Sequence, residues 1–376
     1  MPEFMSAFPA VDPIPLPAPV WLFKLLHIVT LALHFCAVEL LLGGLLVATC
    51  LCFFGGLRGG TPLLRLNAAA SLTRRLPIVM TYVINLGVPP LLFTQVLYGR
   101  AFYTSSVLIG AYWISVIFLL MACYWLLYRF NAAVERGRSA WWLGLAAWLL
   151  AGTIAKILST TMTLMIRPEV WTAMYSASAM GNHLPPHDPT LMPRWLFMLT
   201  GGLVFAGLWM VWLAARKQIE TPVRSYLAGI GGKLAVAAVV AQVLVAHFVF
   251  HNQPDTVREG LAASPLYFGA GLAWFGAIGL IGLTGAWAGF KKPTTAAAGW
   301  LCALLGLLAA AGFTVVRDGI RDLTLSSHGF DVWQQTVVTN WPVVGLFLVL
   351  FVAGLATVGW LVSVMMRAKP VSEKVV

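Results

Sequence analysis

Nine stretches of this chain are each long enough, and free enough of charge, to cross a bilayer as one helix, and no other feature constrains the fold as strongly. They lie at about 20–54, 76–99, 104–130, 140–167, 194–215, 230–251, 264–290, 295–316 and 341–366. A hydrocarbon core of roughly 30 Å takes about 20 apolar residues per helix, because lipid offers the backbone no hydrogen-bond partner. Composition agrees: hydrophobic residues make up 60% of 376, charged residues 10%, and mean hydropathy is +0.86. A soluble domain carries roughly 25% charged residues. The expected fold is an all-α integral membrane bundle of about nine transmembrane helices over 20–366. An outer N-terminal segment, 1–19, precedes it and a cytoplasmic tail, 367–376, follows.

Loop charges orient the bundle. With the first connection placed in the cytoplasm, alternate connections and the tail hold 16 Lys and Arg residues, and the opposite face holds 6. Arg58, Arg65, Arg74 and Arg75 begin the first set, which ends with Lys291, Lys292, Arg367, Lys369 and Lys374. Arg100, Arg167, Arg194, Arg258, Arg317 and Arg321 make up the second. The positive-inside rule then puts the N-terminus outside, in a cell inner membrane. A net charge of +11 distributed this way is topology charge and does not indicate a nucleic-acid partner. The Pro-rich segment 1–19 lacks a basic n-region with a cleavage site and reads as no signal peptide. The longest outer connection, about 168–193, is dense in proline and holds His183 and His187; it is expected to be irregular.

Cys36, Cys50, Cys52, Cys123 and Cys302 all fall in apolar runs and read as small buried residues. Without a C-x-x-C-H motif the chain attaches no c-type haem.

Ionisable groups inside transmembrane runs are costly and therefore candidates for function. His27 and His34 lie seven residues apart in the first run, on one helix face and about 10 Å apart along the axis. His247 and His251 lie four apart near the outer end of the sixth, and His247 matches His27 in depth. Facing imidazoles of this kind are the usual axial ligands of b-type haem iron; hydrogen bonding across helices is the plainer alternative. Glu39 lies in the first run and Lys156 in the fourth, ahead of a polar stripe of Ser159, Thr160, Thr161 and Thr163. The two could be a buried ion pair, or they could serve protons, a quinone or a haem. Arg317, Asp318, Arg321 and Asp322 fall at the outer end of the eighth run. Two guanidiniums four residues apart suit haem propionates, or form an interfacial charge cluster beside Trp333 and Trp341.

These residues resemble subunit I of the cytochrome bd quinol oxidases, a family with nine helices and an outer N-terminus. The first-helix phrase A-L-H-F-C-A-V-E-L-L-L-G-G puts His34 where that family carries a haem-ligand His. Ile84 to Gly99, I-N-L-G-V-P-P-L-L-F-T-Q-V-L-Y-G, is similar to the family's second-helix phrase, with Gln95 in place of its acid. Asp318 and Arg321 echo an acid three residues before an Arg near the outer end of the eighth helix. The fifth helix starts P-R-W-L-F-M-L-T-G-G without the family's haem-ligand His, and the long outer quinol loop after the sixth helix is missing.

The resemblance implies a membrane electron-transfer subunit of a respiratory complex. It would bind one or two haem b and exchange electrons with quinone and with a separate cytochrome c or another redox subunit at the outer face. Iron ligands are expected from His27, His34 and His247, and propionate contacts from Arg317 and Arg321. Glu39, Lys156 and Gln95 are expected to handle protons or quinone. The alternatives are a proton-coupled transporter or channel, and a cofactor-free anchor subunit of a redox complex.

Overall fold

The computed structural model describes residues 8–9, 14–56, 62–290 and 295–367. Most of the N-terminal segment, nearly all of the tail, and the basic residues Arg58, Lys291, Lys292, Lys369 and Lys374 lie outside the described residues.

Each apolar run becomes a helix. In chain order they are α1 (Val20–Gly56), the short α2 (Pro62–Thr73), α3 (Leu76–Leu108), α4 (Gly110–Glu135) and α5 (Trp141–Leu164). Then come α6 (Trp171–Ala177), α7 (Leu191–Ala214), α8 (Thr221–His251), α9 (Asp255–Ala263), α10 (Pro265–Phe290), α11 (Ala296–Ser327) and α12 (Trp341–Arg367). Among the described residues 9 helical stretches are long and apolar enough to span a bilayer, with α2 and α3 forming one of them. The chain is a multi-pass membrane protein.

Several expected boundaries move. The second span continues to Leu108 and meets α4 across Ile109, and α11 runs on to Ser327 instead of stopping near 316. In both, the helix carries polar residues that are sheltered inside the protein, so an apolar run underestimates its length. The connection 168–193 begins with a 3-10 turn and α6, and the connection after α8 holds α9.

α1 is the hub. It packs against α2, α3, α5, α7 and α11, and 67% of its most apolar window is buried, against 6% for α12. Small residues set the closest approaches. A Cβ on Gly43 of α1 would fall on the Gly202 carbonyl of α7, so only glycine lets these backbones meet. α8 and α10 approach in the same way through Gly232, Gly285 and Gly289.

At the end of the bundle that holds the start of α1, a segment from each side forms a cover. Leu16 pairs with the strand-like segment before α12, through Leu16 N–H to Thr336 O (2.8 Å) and Val338 N–H to Leu16 O (2.9 Å). Gln335 donates to Leu97 O at 2.6 Å. Of the cysteines, Cys52, Cys123 and Cys302 are buried as expected, Cys36 is half-buried, and Cys50 is exposed.

Candidate functional site

Below that cover, three helices place charge in the interior. Lys24 of α1 is 4% exposed. Its ammonium donates to Asp318 Oδ2 at 2.5 Å, to Asp322 Oδ2 at 2.6 Å and to the Tyr98 hydroxyl at 2.6 Å. Tyr98 in turn donates to Asp322 Oδ1 (2.6 Å) and lies 3.2 Å from Asp318 Oδ1. The four-residue spacing of the two aspartates puts both on one face of α11, toward α1 and α3. α3 departs from helical geometry at Tyr98 itself (φ −130°, ψ 25°), the residue whose hydroxyl this cluster holds. Trp333 covers the ammonium, with its ring centroid 5.7 Å away.

Arg321 completes the balance: its guanidinium lies 3.9 Å from Asp318 Oδ1 and 4.8 Å from the Tyr98 ring centroid. It also donates to His27 Nε2 at 3.2 Å, while His27 Nδ1 faces the Pro90 carbonyl at 3.2 Å. A neutral imidazole with its proton on Nδ1 satisfies both contacts. His27, expected as an iron ligand, thus has both ring nitrogens engaged within the protein.

His34, two turns deeper, differs. Among the described residues its buried Nδ1 has no hydrogen-bond partner, and its ring lies against Gly87 of α3, where a Cβ would come within 2.8 Å of Cε1. Arg317 and His34 share Phe35 as a neighbour: the guanidinium lies 5.6 Å from its ring centroid, and the His34 and Phe35 ring centroids are 6.1 Å apart. Among the described residues Arg317 has no carboxylate within ion-pair distance. Neither does Arg194 at the start of α7, which donates to Gln253 Oε1 at 3.4 Å. Of the two arginines expected to meet an anion, Arg321 is largely committed internally, and Arg317 lies over the Phe35 ring.

The other expected residues are dispersed. His247 is exposed on α8, its ring tilted against that of His251 with centroids 3.9 Å apart. α8 lies chiefly against α7 and α10, so the described packing does not gather His247 with His27 and His34. Glu39 is 1% exposed and points at Gly201 of α7, near Gln242, which bonds Thr200. No Glu39–Lys156 ion pair forms among the described residues; the Lys156 ammonium instead lies over the Trp195 ring, 5.8 Å from its centroid. Gln95 accepts from Tyr103 at 3.4 Å on an exposed part of α3.

No protein-family model matches this chain. No curated protein matches it either. Among solved structures, it is similar to a chain of the bd oxidase from Geobacillus thermodenitrificans, with a TM-score of 0.67 and 12% sequence identity over 95% of this chain and 100% of that one. The chain has a bd-oxidase-like fold.

Lys24, Tyr98 and Arg194 escaped the sequence reading as site residues. Lys24 did carry a signal: a lone cation inside the first apolar run needs acids, and α11 supplies the i, i+4 aspartates. Nothing in the sequence singles out Tyr98.

Proposed function

We propose that this chain is the membrane electron-transfer subunit of a respiratory complex in the plasma membrane, holding b-type haem and linked to quinone. The observation that carries the reading is at His34 and Arg317: among the described residues, a buried imidazole nitrogen without a hydrogen-bond partner and a half-buried guanidinium with no carboxylate within ion-pair distance, both against Phe35. Buried polar groups are almost always paired, and with a half-buried guanidinium near it the unpaired His34 nitrogen suits a group with a Lewis-acidic centre and an anionic edge. Haem b has both, and these residues fit it. The bd-oxidase-like arrangement of helices supports the same reading.

In it, His34 holds the iron and Gly87 leaves room for its ring. Arg317, aided by Arg194, meets propionate. Haem iron supplies one-electron exchange at a potential set by its ligand and its burial. His27 is a positioning residue, fixing Arg321 through Nε2 and being fixed by Pro90 through Nδ1. The Lys24–Tyr98–Asp318–Asp322 cluster ties α1, α3 and α11 into one frame around it. Glu39, Lys156 and Gln95 are the groups available to protons and quinone. The electron partner is a further redox subunit of the complex.

The test is a pyridine haemochrome spectrum of protein produced with ample haem. Haem b is expected in the native protein and lost or greatly reduced in His34→Ala, with His27→Gln keeping most of it. A colourless native protein would refute the assignment and leave the anchor and transporter alternatives.

A further inference from the structure

Away from His34, a half-enclosed cleft of about 290 Å³ opens between the α3–α4 junction, α5 and the connection leading to α7. Ile109, Ile157, Leu184, Pro185 and Leu191 make its walls apolar, and Lys156, Tyr112 and Thr160 are its polar lining. The lid is held in place: Arg167 donates to Pro186 O at 2.9 Å and pairs with Asp188 at 3.6 Å.

Hydrogen-bond bookkeeping restricts what fits. Tyr112 has given its proton to Asn182 O (3.1 Å), and Thr160 has given its own to Lys156 O (2.8 Å). Both hydroxyls therefore enter the cleft as acceptors. Lys156 is its single strong donor, and among the described residues it has no carboxylate partner, only the Trp195 ring face. A phosphate headgroup, which needs several donors, would be left largely unsatisfied by this lining. A ring bearing a carbonyl and a hydroxyl is matched: the carbonyl accepts from Lys156, and the hydroxyl donates to Tyr112 or Thr160. The volume is near the lower end of small-molecule pockets, roughly 300 Å³, enough for such a headgroup with its tail leaving between apolar walls.

We infer that this cleft is a binding site for the headgroup of a quinone or quinol, with Lys156 as its carbonyl donor. The inference rests on the quinone-linked reading above and adds the place of binding.

A photoreactive azidoquinone tests it on the full-length protein in nanodiscs of neutral lipid, with labelled peptides located by mass spectrometry. Labelling is expected within 109–191, competed by a short-tailed quinone, weakened about 10-fold or more in Lys156→Met and largely kept in Lys156→Arg. Labelling confined to other segments, or equal in Lys156→Met and native protein, would overturn the site. So would displacement by phosphatidylglycerol but not by the short-tailed quinone, which would mark an acidic-lipid site. Lys156→Arg guards against a folding defect, since a misfolded Lys156→Met accompanied by full labelling of the Arg variant leaves the competition result to decide. A haem spectrum of the same samples separates the two readings: labelled but colourless protein retains the cleft and removes the haem assignment, and coloured but unlabelled protein does the reverse.

Discussion

Lys24 is the residue whose surroundings leave least freedom. A charge taken out of water is tolerated only with opposite charge and full hydrogen bonding around it, and Lys24 has two carboxylates and a phenol within 2.6 Å. Lys24 and Arg321 balance Asp318 and Asp322, so removing one member strands another. Lys24→Met is expected to destabilise the protein by about 3–5 kcal/mol. Denaturant unfolding in detergent would measure this, and a cycle with Asp322→Asn, which leaves Asp318 to Arg321, should recover most of the loss. Additive losses would show that the cluster is not a unit. Among the described residues Arg317 and Arg194 have no carboxylate within ion-pair distance, whereas Arg321 lies 3.9 Å from Asp318, and this is why an anion is proposed for them and not for Arg321.

At the level of elements, the bundle is organised by where backbones can touch. α1 reaches α7 only because Gly43 and Gly202 both lack a Cβ. Gly43→Ala should therefore cost about 1–3 kcal/mol, with no flexible side chain nearby to yield. Gly229→Ala on α8, where an added Cβ would meet nothing within 4 Å, should be neutral or slightly stabilising, since Ala is the better helix former. Thermal unfolding of the two variants side by side checks the contrast; equal shifts would contradict the close approach. The same contact sets the place of Glu39, which lies one turn before Gly43 and faces the neighbouring Gly201.

For the whole molecule, the 9 spans among the described residues are expected to put the two ends of the bundle on opposite faces, and loop charge predicts which is which. In a background without native cysteines, Cys introduced at His183 should react with a membrane-impermeant maleimide in intact cells. Cys introduced at Arg138 should react only after permeabilisation. Both positions are exposed in the structure. The reverse pattern would invert the bundle and move the His34–Arg317 site and the Lys156 cleft to the other face. α12, the least enclosed span, leans on α1 and α3 through Val344 and Phe347, adding little to the interior.

The apolar runs by themselves determined that this chain is a helical membrane bundle of about nine spans, because lipid permits the backbone little else. They also flagged His34, Arg317 and Glu39, since ionisable groups stand out against such a background. Only the tertiary structure decided how these groups are partnered. Imidazoles at similar depth on α1 and α8 look alike in sequence, yet α7 lies beside both helices, and His247 stays on an exposed face. Glu39 and Lys156 are of opposite charge, yet one turns to Gly201 and the other to Trp195. Charge and spacing along a chain state what a residue needs; which neighbour meets the need depends on helix rotation and packing, and those are settled by contacts such as Gly43 on Gly202 and His34 on Gly87.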